Sequence, residues 1–253
     1  MFLKTGAGTV EGVPADGGSE HFYREGGARR IMSVANFPDE ILSFLQMEGL
    51  TVLDVASRHR CDSLVELGCY DGRALEVAKV ANMSYVGVDV NSVAIGSLSG
   101  RIAYEGLGEW ARAVLGSIRV SEDWVPEVRG ERPLLLLPFN LIGNLDEPAK
   151  FLAELGGVGR LGVISFFNDD AWTTEVRRAY YTACGIAIHE EGPGTHGGTL
   201  FRGDGGFRSQ SFSVRGMQSL LEAAGATLVH ETSNRLGCCI AVRFSSVPSG
   251  ARA

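Results

Sequence analysis

No stretch of this chain approaches the ~20 consecutive apolar residues that a membrane-spanning helix requires. The N-terminus, Met1-Phe2-Leu3-Lys4 followed by glycines, lacks the apolar core of a secretion signal. Positive charge is also scarce: 23 Lys and Arg stand against 30 Asp and Glu, a net charge of -7. A protein that grips a phosphate backbone carries a basic footprint, so this balance argues against nucleic acid as a partner. The cysteines Cys61, Cys69, Cys184, Cys238 and Cys239 form no CxxC pair and no zinc-like spacing. They give no ground for a metal site and point to reduced, buried thiols in a cytoplasmic protein.

What remains is an ordinary globular balance, 45% hydrophobic and 21% charged, long enough for one large α/β domain. Residues 1–20 are glycine-rich and read as a flexible tail, as do 246–253. Residues 21–60 read as an N-terminal helical cap. Asn36-Phe37-Pro38-Asp39-Glu40 resembles a helix start, Ile41, Leu42 and Leu45 recur at helical spacing, and Gly49 is the expected stop. From 61 to 245 apolar strands alternate with helices: strands at 63–67, 85–89, 112–116, 134–137 and 161–166, helices at 73–80, 92–104 and 147–155. That alternation predicts parallel βαβ units and a doubly wound sheet. A helix capped by Ser213 follows, then strands at 227–231 and 238–244, whose short link permits only an antiparallel pair. The segment from about 168 to 212, rich in glycine and aromatics, reads as a lid insertion.

The loop after the first strand, Glu66-Leu67-Gly68-Cys69-Tyr70-Asp71-Gly72-Arg73, carries most of the functional information. Glycines there let the backbone turn sharply and let a ligand approach without an intervening Cβ. In open α/β sheets, ligands bind beyond the carboxyl ends of the strands, where this loop lies. Asp89 ends the second strand, where a carboxylate can accept hydrogen bonds from both hydroxyls of a ribose. The nucleoside is not a dinucleotide by this pattern: counted from Gly68, the second and third glycine slots of G-x-G-x-x-G hold Tyr70 and Arg73. Nor does a GK[ST] phosphate loop occur.

Glu66-x-Gly68-x-Tyr70-x-Gly72 resembles the E-x-G-x-G-x-G loop of class I S-adenosylmethionine-dependent methyltransferases, with Tyr70 where the pattern has its middle glycine. The resemblance covers about residues 60–245. It implies a Rossmann-like, seven-stranded, mostly parallel sheet with an antiparallel C-terminal strand, and S-adenosylmethionine as cofactor. The methionine part would then lie by Glu66, Gly68, Cys69, Tyr70 and Gly72, the ribose on Asp89 and Val90, and the adenine by Ser117 and Ile118. An acidic residue often stands near that last position in the family; none does here. Pro138-Phe139-Asn140-Leu141-Ile142-Gly143-Asn144-Leu145 is similar to the S/N-x-I-G-N-L loops of some small-molecule methyltransferases, so Pro138 would border the cofactor and Asn140 the acceptor.

The expected activity is methyl transfer to a nitrogen or oxygen of a small-molecule acceptor, with room for a homo-oligomer. No obligatory catalytic signature exists, because alignment of acceptor, methyl and sulfur does most of the work. His196, within Gly194-Thr195-His196-Gly197-Gly198, and His189, beside Glu190 and Glu191, are candidate general bases. Tyr23 could reach the pocket from the cap, and Asn140 could orient an acceptor or simply hold its own turn. Phe201, Phe207 and Phe212 are candidates to line an acceptor cavity. Two other classes stay open: a methyltransferase-like binding or regulatory subunit, and an NAD(P)-dependent oxidoreductase.

Overall fold

The computed structural model describes residues 18–245. The tails expected at 1–17 and 246–253 lie outside them. The expected tail does not extend to residue 20, however: Gly18–Phe22 form a short helix, α1. A kink at Gly26, φ 102°, leads from it to α2 (Ala28–Ile31).

The long helix α3 (Asp39–His59) runs straight through Gly49. Its buried face, Ile41, Phe44, Met47, Glu48, Thr51, Val52, Val55 and Ala56, keeps helical spacing across the glycine. Tertiary burial of that face outweighs the roughly 1 kcal/mol that an interior glycine costs. Nor does Asn36 cap this helix; Pro38 occupies that position, and the Asn36 amide donates to the Arg30 carbonyl instead.

Strands then alternate with helices as the sequence predicts: β1 (Ser63–Leu67), α4 (Leu75–Ala81), β2 (Ser84–Asp89), α5 (Ser92–Tyr104) and β3 (Ala111–Leu115). A short α6 (Ser121–Trp124) precedes β4 (Pro133–Leu137), α7 (Pro148–Leu155) and β5 (Leu161–Phe167). The insertion holds a helix that the sequence reading missed, α8 (Ala171–Ala183), and three strands, β6 (Ile188–Pro193), β7 (Thr199–Gly203) and β8 (Arg208–Gln210). Last come α9 (Val214–Ala223), with the Ser213 hydroxyl accepting from Gly216 N–H, then β9 (Ala226–Ser233) and β10 (Gly237–Phe244).

The main sheet has seven strands in the order β3-β2-β1-β4-β5-β10-β9, and β10 runs antiparallel to both of its neighbours. This is the expected Rossmann-like, doubly wound architecture. One apolar layer joins α3, α4 and α5 to the sheet and another joins α7 and α9 to its opposite face. α3 therefore belongs to the sheet's own helical layer rather than to a separate cap. A third cluster, with Phe22, Ile31, Phe44, Phe167, Tyr180, Tyr181 and Phe207, joins the N-terminal segment to the insertion.

Candidate functional site

A crevice of about 410 Å³ opens at the carboxyl ends of β1, β2 and β4. Its wall is completed by the N-terminal segment and by α8. Glu66, Gly68, Cys69, Tyr70, Asp89, Val90, Ile118, Pro138, Asn140 and Tyr23 all line it.

The loop after β1 turns through left-handed backbone at Gly68 (φ 70°), Tyr70 (φ 50°) and Gly72 (φ 81°). Gly68 and Cys69 donate to the Val88 carbonyl at 2.8 and 3.0 Å, which curls the loop over the end of β2. Tyr70 N–H then donates to one Asp89 oxygen and Asn91 N–H to the other, each at 2.8 Å. Tyr70 thus keeps the geometry of the glycine pattern while carrying a side chain, at the cost of about 1 kcal/mol of backbone strain. Gly72 does not line the crevice. A Cβ there would sit 2.4 Å from Leu98 Cδ1, so this glycine lets the loop pack onto α5.

Asp89 is 7% exposed, and burial holds its carboxyl above the ordinary value against the pull of the backbone N–H groups. The carboxylate accepts from backbone N–H groups on both oxygens and keeps capacity for a further donor. Glu66 is fully buried. Desolvation pushes it up to about 7, opposed by Arg73, by the Tyr85 hydroxyl at 2.6 Å and by Ala74 N–H at 3.1 Å.

Ser117 stands beside the crevice but does not line it; its hydroxyl donates to the Glu20 carboxylate. Glu20 does line the crevice, so an N-terminal helix brings an acidic group to the place where the third strand's own sequence has none. The acid lies nearly a hundred positions away in sequence, which is why no local pattern revealed it.

After β4 the chain passes through left-handed backbone at Phe139 (φ 46°) and Asn140 (φ 59°). Both ends of the Asn140 amide are occupied: its oxygen accepts from Phe167 N–H at 3.3 Å and its nitrogen donates to Ser209 Oγ at 3.2 Å. The side chain clamps this loop to β5 and to the insertion.

The two candidate histidines are elsewhere. His189 is exposed on β6 with Nε2 2.5 Å from the Asp204 carboxylate. His196 stacks on Phe212, and its pKa is lowered by burial and by nearby Arg208. Neither lines the crevice. The rings of Phe201, Phe207 and Phe212 are buried in the protein interior rather than presented to the cavity.

Two further residues escaped the sequence reading. Glu48, 3% exposed on α3, accepts from Arg73, from Phe139 N–H at 2.7 Å and from the Ser165 hydroxyl. Arg73 lines the crevice beside Gly68. An acid on the apolar face of α3 was the available signal. Among the described residues no group of three or more His, Cys, Asp or Glu side chains is placed to hold a metal ion, and no helix is long and apolar enough to cross a membrane.

Neither a protein-family model nor a curated protein sequence matches this chain. Solved structures do. A Burkholderia thailandensis 1,6-didemethyltoxoflavin-N1-methyltransferase, with 1,6-didemethyltoxoflavin and S-adenosylhomocysteine bound, is similar over 88% of this chain and 84% of its own, with TM-score 0.56 and 17% identity. Magnesium protoporphyrin IX methyltransferase from Synechocystis PCC 6803, with S-adenosylhomocysteine bound, covers 89% and 98% at TM-score 0.59 and 13% identity. The CcbJ methyltransferase of Streptomyces caelestis covers 79% and 95% at TM-score 0.53 and 13% identity. At these identities the likeness shows the fold: the chain has the Rossmann-like fold of class I methyltransferases.

Proposed function

We propose that the chain is an S-adenosylmethionine-dependent methyltransferase that methylates a nitrogen or oxygen of a small-molecule metabolite, as part of a biosynthetic route. The carrying observation is Asp89, a buried carboxylate at the tip of β2 that lines the crevice with acceptor capacity left beyond its backbone donors, above a loop kept low by Gly68. A Cβ at Gly68 would press within 3.1 Å of Leu141 and narrow the cradle. The donor set suits the cofactor: Asp89 for the sugar hydroxyls, Gly68 and Glu66 for the amino-acid end, Ile118 for the base. The bound cofactor supplies an electrophilic methyl group on a sulfonium.

The protein's own task is to align the acceptor and exclude water, which can lower a barrier by about 7–11 kcal/mol. The N-terminal segment and α8 wall the crevice and do the excluding. With both histidines outside it, a nitrogen that enters neutral suits this site better than a hydroxyl that must lose a proton. Each solved relative cited above is a methyltransferase, and two hold S-adenosylhomocysteine. Calorimetric titration with S-adenosylhomocysteine tests the reading. Saturable one-to-one binding is expected; no binding at millimolar concentration overturns it.

A further inference from the structure

Tyr181, on α8, lines the crevice while only 4% exposed. Its hydroxyl lies 2.7 Å from Ser209 Oγ on β8, and the direction of the proton between them can be deduced. Arg177 Nη2 reaches Ser209 Oγ at 3.2 Å, and Asn140 Nδ2 reaches it at 3.2 Å. The Asn140 amide orientation is fixed because its other end faces Phe167 N–H, which can only donate. A serine oxygen has two lone pairs. Both are therefore filled by N–H donors, and the hydroxyl proton of Ser209 has Tyr181 as its partner. Tyr181 accepts that proton's hydrogen bond and keeps its own O–H, for which the described residues supply no acceptor.

Behind this chain stands Arg177, 0% exposed, between the rings of Phe167 and Phe201 at 5.5 and 4.7 Å and donating also to the Thr199 and Ser209 carbonyls. Its guanidinium polarises the chain toward the crevice: each donor in the row, Arg177 to Ser209 to Tyr181, strengthens the next. Tyr181 shares an apolar cluster with Ile31, Met32 and Phe139, all of which line the crevice, with Asn140 and Tyr23 as the polar groups nearby.

We infer that Tyr181 is the group that recognises the methyl acceptor, donating a hydrogen bond to a carbonyl or anionic oxygen on a small molecule whose apolar body lies against Ile31, Met32 and Phe139. This rests on the methyl-transfer reading, which assigns the glycine-loop end of the crevice to the cofactor. Tyr181 here is a specificity residue, and Ser209 and Arg177 are positioning residues that act through it.

The test uses the full chain saturated with S-adenosylhomocysteine and a matched pair of probes, acetophenone and ethylbenzene, titrated by ligand-observed NMR. They differ in the one oxygen at issue. Wild type is expected to bind the ketone about tenfold more tightly than the hydrocarbon, the net worth of one buried hydrogen bond. Tyr181→Phe is expected to abolish that difference while leaving affinity for S-adenosylhomocysteine and for ethylbenzene unchanged, a pattern that a general loss of packing would not give. If the variant does not fold, the wild-type comparison alone decides. Equal affinity of wild type for both probes, or no binding of the ketone to the cofactor-loaded protein, overturns the assignment and leaves the methyl-transfer reading intact. Failure of S-adenosylhomocysteine to bind wild type overturns both.

Discussion

Glu48 on α3 binds Arg73 in the loop after β1, and its other oxygen takes Phe139 N–H in the loop after β4. One carboxylate from the helical layer thereby fixes two loops that form the crevice. Ser165 on β5 adds a third donor to it. Glu48→Ala leaves Arg73 and a buried backbone N–H without their partner. Arg73 is partly exposed, so the loss belongs at the low end for a broken buried pair, about 3 kcal/mol. For a chain of this size that lowers Tm by about 6–12 °C, read by thermal unfolding. An unchanged Tm would remove Glu48 from the account.

Asp89→Asn has a sharper consequence for the ligand. Tyr70 and Asn91 each donate a backbone N–H to a different oxygen of Asp89, and an amide can accept only one of them. The loop loosens, and a sugar loses its charged acceptor. Affinity for S-adenosylhomocysteine is expected to fall about 10- to 100-fold by calorimetry. Wild-type affinity in this variant would show that the sugar lies elsewhere.

Glu66 sets a pH dependence whose sign is fixed by its direction. Burial raises its pKa in the fold to about 7 from the ordinary 4.5, so the folded protein binds the more protons between those values. The stability tied to Glu66 is present below pH ~4.5 and is lost as pH rises through about 7, in all of order 3 kcal/mol. Glu66→Gln keeps an oxygen for Tyr85 and Ala74 and removes the titration. Urea unfolding from pH 4.5 to 8 should show a flatter pH profile for the variant than for wild type; parallel profiles would contradict the assignment.

His189→Ala and His196→Ala are expected to leave turnover with any accepted substrate within about twofold of wild type, since neither ring lines the crevice. The exposed His189–Asp204 pair contributes little to stability, within ~1 kcal/mol. A drop of a hundredfold in kcat for either variant would mean that the insertion swings over the substrate.

Tyr70→Gly tests the one departure in the glycine loop. The left-handed backbone there suits glycine, while the unfolded chain gains freedom, and the two effects oppose each other. Stability should change by no more than about 1 kcal/mol, with affinity for S-adenosylhomocysteine unaltered, because the contact to Asp89 comes from the backbone N–H.

The sheet was legible because buried parallel strands such as Leu134–Leu137 are unbroken apolar runs and because Gly68 and Asp89 sit at strand ends, where binding geometry restricts the residue types. Helix α8 was not, since Trp172, Tyr180 and Tyr181 look like loop aromatics until Asp170 is recognised as its cap and residues 173, 174, 177, 180 and 181 as one buried face. Gly49 misled for a related reason: local propensity argues for a stop, and only the continuing apolar period argues against it. The histidines drew attention by chemistry, but which face of β6 His189 occupies depends on strand register, and where the turn between β6 and β7 carries His196 depends on how those strands pair, which the residues alone leave open. Glu48 showed only as an acid on the apolar face of α3, and Glu20 gave no local sign, because their partners Arg73 and Ser117 lie 25 and 97 positions away.

The most direct test is a crystal structure with S-adenosylhomocysteine bound. The two sugar hydroxyls are expected at hydrogen-bond distance, about 3 Å, from the Asp89 carboxylate, and the amino-acid end beside Gly68. A nucleoside found outside the crevice, or sugar hydroxyls held by some other group, would contradict it.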